Sequence, residues 1–238
     1  MDIPTLERQP SLVEGVCTRL SDIIRNEQTR GDGWLPPERE LAEKLGVSRP
    51  VVREATKRLE MQGLLEVQHG VGTRVVDKLH KPLNSSLALL IPEIKERLRQ
   101  LTEVRLALEP ENARLAAARA SASQINDLRR ILSRHQAAEN IEDSAAADME
   151  FHRSIAIASG NQISALLIHS LSELMQASLL RGYRRVTAAR ALEDHDRILT
   201  AIESRDEEAA ALTMKRHLLN ARADHGFEMK KPSRSKSA

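Results

Sequence analysis

The 238-residue sequence is poor in aromatic residues and in cysteine. One Trp, one Tyr and two Phe are too few for the aromatic platforms that bind single-stranded nucleic acid by stacking. A single cysteine, Cys17, excludes an intramolecular disulfide and favours a reducing environment. No apolar run reaches the length of a membrane span, and the first ten residues do not resemble a secretion signal. These absences predict a cytoplasmic protein without membrane contact.

A segment without apolar periodicity divides the chain at residues 77–86 (DKLHKPLNSS), which are typical of a linker. Residues 1–76 have the pattern of three helices and a β-hairpin, and residues 87–228 have helical periodicity throughout. Residues 229–238 are basic and low in apolar side chains, which predicts a disordered tail. The predicted fold is mainly α, with a small N-terminal head followed by an antiparallel all-α bundle of six or seven helices.

Seven helical segments are predicted after the head: 84–91, 95–120, 123–139, 142–159, 162–180, 187–204 and 206–226. Pro110 lies inside the second segment and is expected to kink or divide it, because proline has no amide hydrogen to donate. The sequence Ser159-Gly160-Asn161 predicts the end of one helix on glycine and the start of the next on asparagine.

The head has the pattern of a helix-turn-helix, because ERELAEKLG and SRPVVREATKRLEMQG are two short helices joined by a Leu-Gly-Val turn. Ser48 is placed to cap the second helix. Arg49 and Arg53 share a face near its start, where a recognition helix presents side chains that can bind guanine bidentately. A solvated basic helix is the alternative, because residues 1–80 contain 12 Lys and Arg against 13 Asp and Glu.

The stretch LPPERELAEKLGVSRPVVREATKRLEMQGLLEVQHGVGTRV resembles the winged-helix head of the GntR family of bacterial transcription regulators. The resemblance rests on the ordered elements Leu-Pro-x-Glu-Arg-Glu-Leu-Ala, Val-Ser-Arg, Val-Arg-Glu-Ala, Leu-Glu and Gly-x-Gly-Thr. It implies a winged helix-turn-helix that binds double-stranded operator DNA as a homodimer on an inverted repeat. The operator contacts that it implies are Arg39, Ser48, Arg49, Val51, Arg53 and, at the tip of the wing, His69 and Gly70. Pro50 and Val51 stand where the family often has Thr or Ser, which removes a hydroxyl group at each position.

Four residues of the bundle form a candidate metal site. In the stretch DMEFH, Asp148 and His152 are four residues apart and share a helix face, while His195 and His217 lie on later helices. One carboxylate and three imidazoles suit Zn²⁺ first, and Ni²⁺, Mn²⁺ or Fe²⁺ also fit. From the spacing alone, a hydrogen-bonded core without metal remains open. Spacing alone does not separate His195 and His217 from the other histidines, His80, His135, His169 and His225. These four match no position of the family resemblance described next and are for that reason assigned no part in the site.

The bundle resembles the effector domain of the FadR subfamily, the FCD domain. The matching stretches are EVRLALEPENARLAA, DMEFHRSIAIASGN, EDHDRILTAIESRDEEAA and MKRH, within residues 101–217. The resemblance implies a divalent metal on the four candidate ligands and a small carboxylic acid as effector. It implies that Arg105 faces the acid, whereas a salt bridge to Glu109 is the alternative. Asn161 either contacts the acid or caps its helix.

Two acidic residues beside a candidate ligand have two interpretations. Asp194 and Asp196 flank His195, and each is either a partner that orients a ligand or a solvated surface residue.

The two resemblances together imply a ligand-responsive transcription regulator, a repressor, and not an enzyme. A metal-dependent hydrolase or lyase with an accessory head is one alternative, although the sequence has no HExxH motif. A regulator with a purely structural metal and a larger effector, such as an acyl-CoA, is the other.

Overall fold

The computed structural model describes residues 11–27, 33–68, 70–76, 78, 83, 86–87, 89–183 and 189–224. The chain forms two compact units, Met1–Leu83 and Asn84–Ala238, and each has its own apolar core. Among the described residues, no single helix is long and apolar enough to cross a membrane. Within the described residues, one pair of helices, 162–170 and 172–182, has the length and composition of a span when its two members are taken together, and the pair is bent between them.

The first unit is a winged helix-turn-helix. Its elements are α1 (Leu12–Glu27), α2 (Glu38–Leu45), α3 (Arg49–Met61), β1 (Leu65–Gln68) and β2 (Gly72–Val75). Gly46 ends α2 in the left-handed conformation at φ +66°, which glycine adopts without strain. The antiparallel strands pair Leu65 with Val75 and Gln68 with Gly72. These elements confirm the three helices and the hairpin predicted from the sequence.

The core of the head follows the helical spacing of its apolar residues. Leu20 and Ile24 of α1 lie against Val52 and Leu59 of α3, and all four are almost fully buried. At the end of α3, the carboxylate of Glu60 accepts the backbone N–H of Val67 at 2.9 Å, which ties the wing to the recognition helix.

The regular elements described in the second unit are all helices. Its elements are α4 (Ile94–Arg119), α5 (Ala122–Gln136), α6 (Ile141–Ala158), α7 (Gln162–Ser170), α8 (Ser172–Tyr183), α9 (Ala189–Glu203) and α10 (Glu207–Asp224). The main core lies between α4, α5, α6, α9 and α10, with Phe151 and Met214 fully buried in it. The predicted all-α bundle is confirmed.

Pro110 does not divide its helix, and one predicted helix is two helices in the structure. Helix α4 is not divided at Pro110, because buried residues on both sides of the proline pack it along α10, and this packing outweighs one missing hydrogen bond. The predicted helix 162–180 is two helices, bent by 58° at Leu171. The N–H of Leu171 is shared between the carbonyls of Leu167 and Ile168, both at 3.2 Å, which tightens the last turn of α7.

Several predictions fall on residues outside the described ranges. They are the tail 229–238, most of the linker 77–86, His69, His80 and His225. The predicted helix 84–91 is described only in part, and its residues 86–87 and 89–90 are helical.

Candidate metal centre and nucleic-acid interface

Three helices bring the four predicted metal ligands into one buried cluster. Asp148 and His152 lie one turn apart on the inner face of α6, His195 lies on α9, and His217 lies on α10. Each of them exposes 4% of its surface or less. The i, i+4 spacing places the α6 pair on one face, but only the packing of α9 and α10 brings the other two imidazoles to it.

The ligand atoms of the cluster form a closed ring of contacts. Nε2 of His152 lies 3.3 Å from Oδ1 of Asp148 and 3.2 Å from Nε2 of His217. Nε2 of His195 lies 3.3 Å from Nε2 of His217 and 3.7 Å from Oδ2 of Asp148. All three histidines therefore point the same nitrogen, Nε2, at the centre of the ring.

This ring has the dimensions of a site for one divalent ion. Ligand atoms that sit about 2.0–2.2 Å from one zinc-sized ion are about 3.0–3.4 Å from their neighbours. Three of the four separations fall in that range and the fourth, between His195 and Asp148, is slightly longer. Three neutral imidazoles and one carboxylate are also the donor set of Zn²⁺ and its neighbours in the first transition row. The residues present fit a divalent metal.

The outer nitrogen of His152 faces a buried carboxylate. Nδ1 of His152 lies 2.5 Å from Oε2 of Glu109, on α4. The other oxygen of Glu109 accepts a hydrogen bond from Nε of Arg105 at 2.5 Å, and the Arg105 Nη2 reaches Oε2 at 3.3 Å. A chain of contacts therefore runs from Arg105 through Glu109 to His152, with all three side chains buried.

The outer nitrogen of His217 also faces a carboxylate. Nδ1 of His217 lies 3.8 Å from Oδ2 of Asp194, which also accepts a hydrogen bond from Asn220 at 2.8 Å. Oδ1 of Asp194 accepts a hydrogen bond from Arg197 at 3.0 Å. Asp194 is buried, whereas Asp196 is exposed, so of the two residues that flank His195 only Asp194 can orient a ligand.

Burial and neighbouring charge shift the pKa values of the cluster. Burial lowers the pKa of His195 and of His217, which favours the neutral imidazole that binds metal. Burial opposes ionisation of Asp148, but His195 and His152 outweigh it, and the pKa of this carboxyl lies well below its usual range. Burial likewise opposes ionisation of Glu109, but Arg105 and His152 outweigh it and lower its pKa. Burial alone would lower the pKa of His152, but Glu109 raises it.

A fifth buried histidine lies beside the cluster. His135, near the end of α5, has its ring centre 5.6 Å from that of His195. Ligand atoms of His135, Asp148 and His195 all lie within 4.8 Å of one another. No spacing in the sequence reports the position of His135 beside α6 and α9, because this position depends on helix packing.

The two predicted effector contacts are both engaged within the protein. The salt bridge from Arg105 to Glu109, stated above as the alternative, is present and buried. Asn161 caps α7, because its side-chain oxygen accepts the backbone N–H of Ser164 at 3.1 Å. Direct contact of either residue with an acid stays a prediction.

In the head, the predicted DNA contacts lie mainly on one exposed stretch at the start of α3. Arg49 and Ser48 are exposed, and Ser48 precedes α3 without a side-chain capping bond among the described residues. Val51 is partly buried against the core of the head, so its side chain is less available for contact with DNA than those of Ser48 and Arg49. Gly70 is exposed at φ +79° in the turn of the wing.

The two arginines near the start of the recognition helix differ in their partners. Arg53 forms a salt bridge with Glu38, the first residue of α2, with Nη2 2.9 Å from Oε2. Within the described residues Arg49 forms no salt bridge, and Arg39 is exposed with only a long contact of 3.8 Å to Glu43. Nothing in the sequence spacing indicated Glu38, which precedes Arg53 by 15 positions.

Comparison with known proteins accounts for both units. Residues 12–75 match the family described as bacterial regulatory proteins, gntR family, and residues 100–220 match the FCD domain. The chain belongs to the GntR family. Its FCD domain places it in the FadR subfamily of these bacterial transcription regulators.

Relatives and a solved structure agree with this assignment. This GntR-family chain is 34% identical to the Uxu operon transcriptional regulator of Escherichia coli (strain K12), over 84% of this chain and 80% of that protein. It is 30% identical to the HTH-type transcriptional regulator LutR of Bacillus subtilis (strain 168), over 83% and 94%. The solved structure of Streptococcus agalactiae GntR matches with a TM-score of 0.70 and 30% identity, over 89% of this chain and 99% of that one.

Proposed function

We propose that this GntR-family chain is a cytoplasmic, ligand-responsive repressor whose FCD domain binds a divalent metal and a small carboxylic acid. The observation that carries this proposal is the ring of Nε2 atoms from His152, His195 and His217 around the carboxylate of Asp148. Burying three imidazoles with their lone pairs or protons turned towards one another is unfavourable unless a cation lies between them. Zn²⁺ is the ion we expect first, with Ni²⁺, Mn²⁺ or Fe²⁺ as alternatives.

The acid would bind where the protein leaves metal positions open. Four protein ligands do not complete six-coordination, so a carboxylate or water can take the remaining positions. Two side chains, Glu109 and His152, connect Arg105 to the proposed metal position. A carboxylate ligand therefore reaches the Arg105 guanidinium by exchanging with Glu109, and this exchange alters the support of a metal ligand.

The operator would be an inverted repeat bound by a homodimer. A two-fold dimer presents two identical recognition helices, so its operator has the same symmetry. The exposure of Arg49 at the start of α3 supports its contact with bases in this proposal, and Glu38 pairs with the nearby Arg53. An acid that stabilises one arrangement of the two heads would change operator affinity by about 5–150-fold, which corresponds to a coupling of about 1–3 kcal/mol.

The first experiment is the metal content of the untagged protein by elemental mass spectrometry. We expect about one metal ion per chain in the wild type and its loss in the His195→Ala variant. His169→Ala is the matched control, because His169 is also buried but contributes to neither cluster of candidate ligands. Absence of metal in the wild type after addition of Zn²⁺, Ni²⁺, Mn²⁺ and Fe²⁺ would refute the metal part of the proposal.

The second experiment tests operator binding first and the response of that binding to an effector afterwards. Operator fragments recovered by selection from random DNA would be tested against wild type and Arg49→Ala, with loss of about 1–3 kcal/mol expected for the variant. Arg130→Ala, an exposed arginine of the FCD domain, is the control. Small carboxylic acids would then be screened for a change in operator affinity of the metal-loaded wild type.

The pairing of Arg105 with Glu109 supports a second candidate, in which the metal is structural and a larger effector binds elsewhere. In that case no small acid changes operator affinity, and Arg105→Ala leaves any effector response intact. A response to a small acid that Arg105→Ala abolishes would reject this candidate.

A further inference from the structure

We infer that the FCD domain holds a second, overlapping position for the divalent ion, formed by His135, Asp148 and His195. This inference rests on the proposed metal function but adds a residue and a position to it. Ligand atoms of the three residues lie within 4.8 Å of one another, and all three side chains are almost completely buried. Two imidazoles and a carboxylate are a sufficient set of protein ligands for a zinc-type ion.

The geometry of Asp148 connects the two positions. Its Oδ1 faces His152 at 3.3 Å, and its Oδ2 faces His195 at 3.7 Å. One carboxylate therefore presents an oxygen to each side. His195 is common to both sets, since it also contacts His217 at 3.3 Å in the first position.

The outer face of His195 is different from that of the other two ligands. His152 and His217 each turn Nδ1 towards a carboxylate, at 2.5 Å and 3.8 Å. Nδ1 of His195 is buried and makes no hydrogen bond among the described residues. Phe151 stacks on the His195 ring with the ring centres 4.5 Å apart, and the centre of the His135 ring lies 5.6 Å from that of His195. No carboxylate among the described residues therefore holds Nδ1 of His195, and we expect this ring to serve an ion on either side of Asp148.

Only a small rearrangement completes the second set. Ligands held at about 2.1 Å by one ion with tetrahedral angles are about 3.4 Å apart. The three ligand atoms lie within 4.8 Å of one another, so the shift that each pair needs is at most about 1.4 Å. Rotation of the His135 and His195 side chains about their torsions can supply such a shift without movement of a helix.

The two positions exclude each other. A neutral imidazole nitrogen binds one ion at a time, so an ion that takes Nε2 of His195 in one position withdraws that ligand from the other. In the first position the ion joins α10, through His217, to α6 and α9. In the second position it joins α5, through His135, to the same two helices. The position of the ion would thus determine which helix is attached to the centre.

The test removes the first position and asks whether the second still binds. In the full chain, the double variant His152→Ala/His217→Ala leaves Asp148, His195 and His135 in place. The triple variant also changes His135→Phe, which keeps a ring of similar size but has no ligand atom. A matched triple variant changes the remote His169→Phe instead. The probe is Zn²⁺ in competition with a chromogenic chelator, with helix content monitored by circular dichroism.

We expect the double variant to retain about one Zn²⁺ per chain, and the His135→Phe triple variant to bind it at least about tenfold more weakly than the His169→Phe triple variant. Equal affinity in the two triple variants would overturn the inference. Failure of the wild type to bind any metal would instead refute the proposed function, which distinguishes the two failures.

A second measurement applies if the double variant loses its helical signal. Histidine ¹⁵N spectra of the single variant His217→Ala, which weakens the first position with one substitution instead of two, report coordination at each ring directly during a titration with Cd²⁺. A coordination shift at His135 supports the second position, and a His135 ring that stays unchanged at saturation overturns it.

Discussion

Glu109 and His152 form a buried contact of 2.5 Å between Oε2 of the carboxylate and Nδ1 of the imidazole. The contact fixes the orientation of the ring, so that Nε2 faces Asp148 and His217. Arg105 compensates the negative charge of Glu109 from the opposite side, at 2.5 Å. A carboxylate placed behind a histidine in this way increases the basicity of the ligand nitrogen and limits its motion.

Replacing Glu109 with Gln is therefore expected to weaken metal binding about 10–100-fold, although Glu109 is not a ligand. The substitution keeps the size of the side chain but removes the charge that supports His152. Competition of Zn²⁺ between the protein and a chelator measures the change. The buried Arg105 also loses its counter-charge, so we expect the metal-free variant to be destabilised by about 3–5 kcal/mol.

The matched control for this prediction is Glu111→Gln, on the same helix. Glu111 is exposed and its salt bridge with Arg114 lies at the surface, where such pairs contribute about 0–1 kcal/mol. If Glu109→Gln and Glu111→Gln bind Zn²⁺ with equal affinity, Glu109 has no role in orienting His152.

Asp194→Asn is expected to weaken metal binding less than Glu109→Gln. Asp194 lies 3.8 Å from His217, which is a longer distance than that between Glu109 and His152. The Asp194 carboxylate also accepts hydrogen bonds from Arg197 and Asn220, so it interacts less strongly with His217. The same chelator competition ranks the two variants. Asp196→Asn is the control, because Asp196 is the exposed neighbour on the other side of His195. A larger loss for Asp194→Asn than for Glu109→Gln would contradict the ranking.

The elements of the head could be predicted from the sequence because local signals agree there. Apolar spacing defines α1 and α3, Gly46 ends α2, and Gly70 lies in a tight turn between alternating strands. In the bundle, the i, i+4 spacing of Asp148 and His152 was visible for the same local reason. Their partners His195 and His217 could be chosen only through the family resemblance.

The remaining features depend on packing between distant segments. His135 approaches His195 because α5 packs on α6 and α9, and Arg53 meets Glu38 because α2 crosses α3. The local signal of Pro110 predicts a kink or a division of α4, and burial of the helix on both sides of the proline keeps α4 undivided. The sequence around the bend at Leu171 contains neither Gly nor Pro, the residues that would predict it. Tertiary contacts decide such cases.

Removal of metal is expected to lower the melting temperature of the wild type. Binding of Zn²⁺ at 100 times its Kd stabilises the folded state by about 2.7 kcal/mol, provided that the unfolded chain does not bind it. For a domain of this size that corresponds to a shift of roughly 5–11 °C. Calorimetry with and without a chelator measures the shift, and His195→Ala is the control, in which Zn²⁺ should produce none. A melting temperature of the wild type that does not respond to Zn²⁺ would contradict the prediction.

Glu38 is expected to contribute to the discrimination of the operator from other DNA, although its charge opposes DNA binding. Its salt bridge limits the positions of the Arg53 side chain, with Nη2 held 2.9 Å from Oε2. In Glu38→Gln, Arg53 can reach any nearby phosphate, so affinity for random DNA rises more than affinity for the operator. We expect the ratio of the two affinities to fall about two- to fivefold, in keeping with a surface ion pair. The control Glu54→Gln also removes one negative charge, from α3, but leaves Arg53 paired with Glu38. An equal fall of the affinity ratio in that variant would show that the loss of charge alone is responsible.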